Sequence, residues 1–165
     1  MTTTAPRDTG PTGDRNGNAG TAHTDTAHTD TARNEKTGRA LYGALTGLAA
    51  VAVLLQGLWA GIFLRHDGER DAANSWIEVH ATGGEVAIVL AALATAAALW
   101  KLRHRRELWI GAAVLTVLLI VESYLGGLIR DHGKDDLTAV HVPLAMALMG
   151  LVVYLPLRAA RGRRR

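Results

Sequence analysis

Two histidines in this chain are placed alike. Glu78-Val79-His80-Ala81 and Ala139-Val140-His141-Val142 each carry a Val-His pair at the start of a long apolar run. An ionisable side chain close inside a membrane surface is costly to keep there, so it is a functional candidate by default. Two imidazoles at equal height on two helices can grip a flat ring between them. That is the geometry of bis-histidine haem b ligation, in which the protein supplies two axial nitrogens to iron and a dry pocket. The neighbours suit the same chemistry. Gly83 and Gly84 lie one turn beyond His80, and Ala145 one turn beyond His141, so a porphyrin has room to approach the backbone. Arg65 and Arg130 close the two preceding apolar runs, where haem propionates would emerge and favour cations. Trp76 and Tyr124 either line such a pocket or belong to the aromatic belt of a membrane interface. A lone interfacial histidine is more often a satisfied polar group than a ligand; the matched pair with its Gly and Arg neighbours favours ligation. Zinc is disfavoured, because it wants a third or fourth ligand, and only the loop residues His66, His132 and Glu78 are at hand.

Three carboxyls belong to the same region. Glu85 and Glu122 sit at similar depth, roughly 8–10 Å inside their runs at 1.5 Å per residue, and Glu78 is nearer the edge. A buried acid in lipid is expected to be protonated or hydrogen-bonded. These three are candidates for a proton relay to a cofactor. The alternative, which is preferred for the deeper pair, is hydrogen bonding across helices to Gln56, Thr82 or Ser123. The remaining histidines read as solvent-exposed: His104 in a basic link, His66 and His132 in loops. His23 and His28 fall in a tandem repeat, Thr21-Ala22-His23-Thr24-Asp25 followed by Thr26-Ala27-His28-Thr29-Asp30, best read as a slipped low-complexity segment.

The elements that must position these residues follow from hydropathy. Residues 1–39 contain no Leu, Ile, Val, Phe, Trp or Tyr. Such a Thr/Gly-rich tail cannot bury enough apolar surface to offset its ordering entropy, and is expected to be disordered. Residues 40–157 hold four apolar runs, approximately Ala40–Leu64, Val79–Trp100, Leu108–Ile129 and Ala139–Leu157. Each suits a hydrocarbon core of about 30 Å, and in lipid spans of this length must be helical. The first run starts near residue 40 and is too long for the apolar region of a cleaved signal. The expected fold is an all-α membrane protein, a four-transmembrane-helix bundle with a basic tail at 158–165.

Charge gives the bundle a direction. The link Lys101–Glu107 has four Lys/Arg and one acid, and Arg158–Arg165 has five Arg and no acid. Arg33, Lys36 and Arg39 precede the first run. The links Arg65–Glu78 and Arg130–Thr138 are rich in Asp and Glu. The positive-inside rule then places both termini and the middle link in the cytoplasm of a cell membrane, N-in/C-in, with the two acidic links outside. This topological role is the preferred account of the basic tail, which could also meet anionic lipid headgroups. The net charge of +3 therefore reports topology rather than nucleic acid. The absence of cysteine excludes disulfides, a thiol nucleophile, an iron–sulfur cluster and c-type haem attachment. Nothing resembles a phosphate-binding loop, a Ser/His/Asp triad or a nucleic-acid module.

A degenerate internal repeat is also visible. Gln56-Gly57-Leu58-Trp59-Ala60-Gly61 runs on to Arg65-His66-Asp67-Gly68, and Glu122-Ser123-Tyr124-Leu125-Gly126-Gly127 runs on to Arg130-Asp131-His132-Gly133. Each places a polar acceptor five residues before a glycine and leaves through an Arg/His/Asp/Gly cluster. The chain is thus expected to be two similar helical hairpins, each lifting one histidine to the same level.

The segment Glu122-Ser-Tyr-Leu-Gly-Gly-Leu-Ile-Arg130, followed by Ala139-Val-His141-Val-Pro-Leu-Ala-Met-Ala-Leu, resembles one four-helix half of the heme A synthase family. The resemblance covers roughly residues 50–157 and is loose in the first hairpin. It implies one haem, with His80 and His141 as axial ligands. The chain departs from that family at Ile77, where a Glu often stands, at Ala81 and Val142, where an Arg is common, and in lacking loop cysteines. Three functions compete: a small haem b protein for electron transfer or haem handling, with a quinone or redox protein as partner; a heme A synthase-like oxidase acting as a homodimer; and a cofactor-free membrane scaffold or transport accessory. No catalytic residue is identifiable, and beyond the lipid bilayer no nucleic-acid partner is expected.

Overall fold

A computed structural model of the chain describes residues 19–66 and 70–161, with side chains described for 32–66 and 73–161. The helices are α1 (Ala19–Arg65), α2 (Arg70–Lys101), α3 (Arg106–His132) and α4 (Thr138–Arg161), with a single 3-10 turn at Asp135–Leu137 before α4. Among the described residues there is no strand. Two compact units are distinguished, Met1–Arg33 and Asn34–Arg165. Of the first, the described residues 19–33 are helical. Four apolar helical segments, Ala32–Arg65, Ala73–Lys101, Arg106–His132 and Asp135–Arg161, are each long and apolar enough to cross a membrane, and all but the first two residues of the first lie in the second unit.

The helices extend beyond the expected apolar runs at every end. The largest difference is at the start, where α1 begins at Ala19 rather than Ala40 and so enters the segment expected to be disordered. One charged pair spaced four apart, Glu35 with Arg39, supports the helix where it nears the apolar run. Glu35 accepts hydrogen bonds from Arg39 one turn later, the Nε contact being 3.1 Å. Residues 1–18, the Asp67-Gly68 link and residues 162–165 of the basic tail lie outside the described residues, as do the side chains of His23 and His28.

In lipid there is no water-driven reason for one apolar helix to seek another, so close packing and interhelical hydrogen bonds must hold the bundle. α2 supplies the small face. Ala87, Ala91, Ala94 and Ala98 recur at helical spacing and are all 0% exposed. They let α3 approach, and Leu115 and Leu119 of α3 fill the middle of the core with Ala50 and Val53 of α1 and Leu148, Val152 and Leu155 of α4. A second cluster, including Tyr42, Leu102, Leu108, Ala112 and Ala159, closes the end that carries the α2–α3 link. There the Tyr42 hydroxyl donates to the Leu108 carbonyl at 3.1 Å, and the Thr46 hydroxyl donates to the Tyr42 carbonyl at 2.8 Å. Thr95 of α2 and Thr116 of α3 share a hydrogen bond of 3.2 Å across the core. Large apolar side chains such as Leu58, Leu64, Val117 and Met146 face outward, as a lipid-facing surface requires.

The ends follow local rules. The α2–α3 link is short, and buried Leu102 pins it to the core. α3 stops at Gly133, whose left-handed backbone (φ 62°) lets its N–H return to the Leu128 carbonyl. The 3-10 turn follows at once and hands over to α4, so His141 is lifted to the same end of the bundle as the α1–α2 link.

Candidate functional site

The site is assembled at the end of the bundle away from the Tyr42–Leu108 cluster, where α1 and α3 finish and α2 and α4 begin. His80 lies in the second turn of the apolar part of α2 and is partly buried. Its Nδ1 is 3.1 Å from the Gln56 backbone carbonyl of α1. A carbonyl can only accept, so Nδ1 carries the proton and the lone pair stays on Nε2. Phe63 packs edge-on against the imidazole, with centroids 5.6 Å apart and planes at 81°. The Gln56 side chain binds the same turn. Its amide satisfies its neighbours when the nitrogen donates to the His80 carbonyl at 2.6 Å and the oxygen accepts from the Gly84 N–H at 3.2 Å. That nitrogen also lies 3.2 Å from Nδ1. With Nδ1 already donating to the backbone this is a contact of two donors, and the carbonyl partner sets the tautomer.

His141 repeats the arrangement one hairpin later. Its Nδ1 is 3.2 Å from Glu122 Oε1 of α3, and the two side chains are 20% and 12% exposed. The approach is off line, and neither the Glu122 oxygens nor Nδ1 complete a hydrogen bond among the described residues. The ring lies against Gly126, where a Cβ would stand 3.3 Å from His141 Cε1 and 3.9 Å from Nε2. Nδ1 of His80 bonds an acceptor on the preceding helix, Nδ1 of His141 only lies near one, and neither Nε2 has a hydrogen-bond partner among the described residues.

Other candidates are placed differently. Gly83 is buried, and a Cβ there would run into the Trp59 ring and the Gln56 amide. Its room serves the approach of α1 to α2, while Gly84 has ordinary clearance, 3.9 Å from the nearest atom of the Gln56 amide. Arg65 is exposed and lines an open groove of about 550 Å³ with Gly57, Gly61, His66 and Trp76. Arg130 is exposed and binds its neighbour Asp131 through two contacts, Nε–Oδ1 at 2.6 Å and Nη2–Oδ2 at 3.0 Å. Glu78 and Glu85 are both exposed. Of the three expected relay acids, Glu122 alone touches one of the two histidines. Tyr124 is 66% exposed, which fits an interfacial position better than a pocket wall. His104 has a specific contact: its Nε2 is 3.4 Å from Glu35 Oε1, across the end where α1 starts.

Gln56 and Gly126 are the residues whose roles sequence reasoning missed. Gln56 was marked by the repeat, which sets it opposite Glu122, but which histidine it would meet depends on how α1 rotates against α2. Among the described residues no group of three or more His, Cys, Asp or Glu is arranged to hold a metal ion. A four-ligand zinc site is therefore not formed by those residues, whereas a two-histidine site needs only the pair. Comparison with protein-family models, curated proteins and solved structures gives no match, so the functional reading rests on this geometry.

Proposed function

We propose that the chain is a multi-pass membrane protein that binds one haem b between His80 and His141, for electron transfer or haem handling. The observation that carries this reading is the state of the two imidazoles. A histidine that ligates iron or another metal through Nε2 typically gives its Nδ1–H to a carbonyl or carboxylate, which fixes the ring and raises its basicity. Gln56 accepts in this way from His80, while Glu122 stands 3.2 Å from His141 Nδ1 as a carboxyl of the second kind that completes no hydrogen bond in this arrangement. The two Nε2 atoms would hold the iron of such a group. Haem bound there would supply one-electron chemistry at iron. The chain's own residues hold the rings, exclude water through Phe63 and Trp59, and offer Arg65 at the edge for an anionic propionate. The proposed orientation is N-in/C-in in a cell membrane, from the Lys/Arg bias of the links.

A second reading, a heme A synthase-like oxidase acting as a dimer, is favoured by one feature of α1. Gly43, Gly47, Gly57 and Gly61 share one face at 3.6 residues per turn, and a Cβ at any of them would meet nothing within 4 Å. Paired small residues of this spacing let a second membrane helix approach closely.

The test is the visible spectrum of protein purified from haem-replete cells. The proposal expects a Soret band in the wild type that is lost in both His80→Ala and His141→Ala. Colourless protein overturns both haem readings in favour of a cofactor-free scaffold. A product assay on the pigmented protein then separates haem carriage from oxidation.

A further inference from the structure

The end of the bundle opposite the histidines carries more exposed cations than described acids to pair with them. The α2–α3 link, the start of the apolar part of α1 and the end of α4 meet there. Lys101 Nζ donates to Asn34 Oδ1 at 3.1 Å, His104 reaches Glu35, and Ala159 packs into the same cluster as Tyr42 and Leu102. Two acids are described at this end, and each is already engaged. Glu35 accepts from Arg39 and faces His104. Glu107 accepts from Arg105 Nε at 2.7 Å. Lys36, Arg103, Arg106, Arg158 and Arg161 are exposed, and each lacks a hydrogen-bonded or ion-paired acid among the described residues. Beside them Trp100 is 80% exposed with Lys101 Nζ 4.8 Å from its ring centroid, an aromatic and a cation placed together as at a headgroup boundary.

We infer that this end is a binding surface for anionic phospholipid headgroups, gathered around Arg103, Arg106, Arg158 and Arg161. A topological role for basic residues requires only that they stay on one side. It does not require that the local acids be engaged by Arg39 and Arg105 while Arg103, Arg106, Arg158 and Arg161 at the same end hold no acid in a hydrogen bond or ion pair among the described residues. Phosphate oxygens are the complement of that arrangement, because each can accept two guanidinium hydrogen bonds in a region of reduced dielectric. The mixed surface, with Trp100 at the apolar edge, fits a lipid rather than a soluble polyanion. This inference does not depend on haem.

The test uses the full chain in zwitterionic detergent, with phosphatidylglycerol and phosphatidylcholine as probes, read by native mass spectrometry at two salt concentrations. The expected result is preferential retention of phosphatidylglycerol that falls with salt and drops roughly fivefold for each cation removed. The variants are Arg103→Gln/Arg106→Gln and Arg158→Gln/Arg161→Gln. Lys134→Gln, a change of one charge at the other end, should leave retention unchanged. Equal retention of both lipids overturns the inference, as does a Lys134→Gln loss matching that of the arginine variants. Tighter capture of a short DNA oligonucleotide than of phosphatidylglycerol overturns it in favour of a nucleic-acid surface. The variants' elution profiles and helical circular dichroism show that each has folded, so a lost lipid reads on the surface itself.

Discussion

Replacing Gly83 with alanine tests the way the histidine end is built. A methyl group at this position collides with the Trp59 ring and the Gln56 amide. The amide can swing away, but the indole is rigid and α1 must then move off α2. Overpacking of this kind costs about 1–3 kcal/mol. Losing the Gln56 amide's bond to the His80 carbonyl adds about 1 kcal/mol. The neighbouring Gly84 provides the control, because its Cβ would have ordinary clearance, 3.9 Å from the nearest atom of the Gln56 amide. Alanine there removes a flexible residue from a helix interior and should be neutral or stabilising by up to about 1 kcal/mol. Thermal unfolding in detergent should therefore show Gly83→Ala lowered by roughly 5–10 °C, with Gly84→Ala at or above wild type. Nitrogen NMR of the His80 ring should change in the first variant only. Equal melting temperatures for the two variants would refute the α1–α2 packing described here.

Three further outcomes follow from the fold. Tyr42→Phe removes the hydroxyl that reaches the Leu108 carbonyl and should lower stability by about 1 kcal/mol, measured as the shift of the unfolding midpoint. Thr95→Val and Thr116→Val should couple in a double-mutant cycle by about 0.6 kcal/mol, the size of an average hydrogen bond between membrane helices; additive effects would mean that the 3.2 Å contact contributes nothing. Gly133→Ala forces a side chain into the left-handed cap of α3 and should cost roughly 1–2 kcal/mol, with hydrogen exchange faster in the Asp135–Leu137 turn than in the α2 core.

The four helices were legible in the sequence because lipid admits so few alternatives. A run such as Leu108–Ile129 has no other way to satisfy its backbone, and Gly133 marks its end by the backbone angle it adopts. The two hairpins were legible as well, since Gln56 and Glu122 do occupy matching places, each beside the histidine of its own hairpin. What sequence could not supply was rotation about each helix axis. Glu85 and Glu122 lie at similar depth, yet Glu85 faces outward and Glu122 faces His141. Gly83 and Gly84 are chemically identical, yet Gly83 receives Trp59 and Gly84 does not. The start of α1 was misplaced for another reason. Lack of large apolar residues argues against a packed core, but not against a helix that continues from an apolar span.

The proposed axial ligands are tested most directly by titrating the purified apoprotein with haemin and following the Soret band. The account predicts saturation at about one haem per chain, with a low-spin spectrum of two nitrogen ligands that both His80→Ala and His141→Ala abolish. Unsaturable binding, or wild-type binding in either variant, would contradict it.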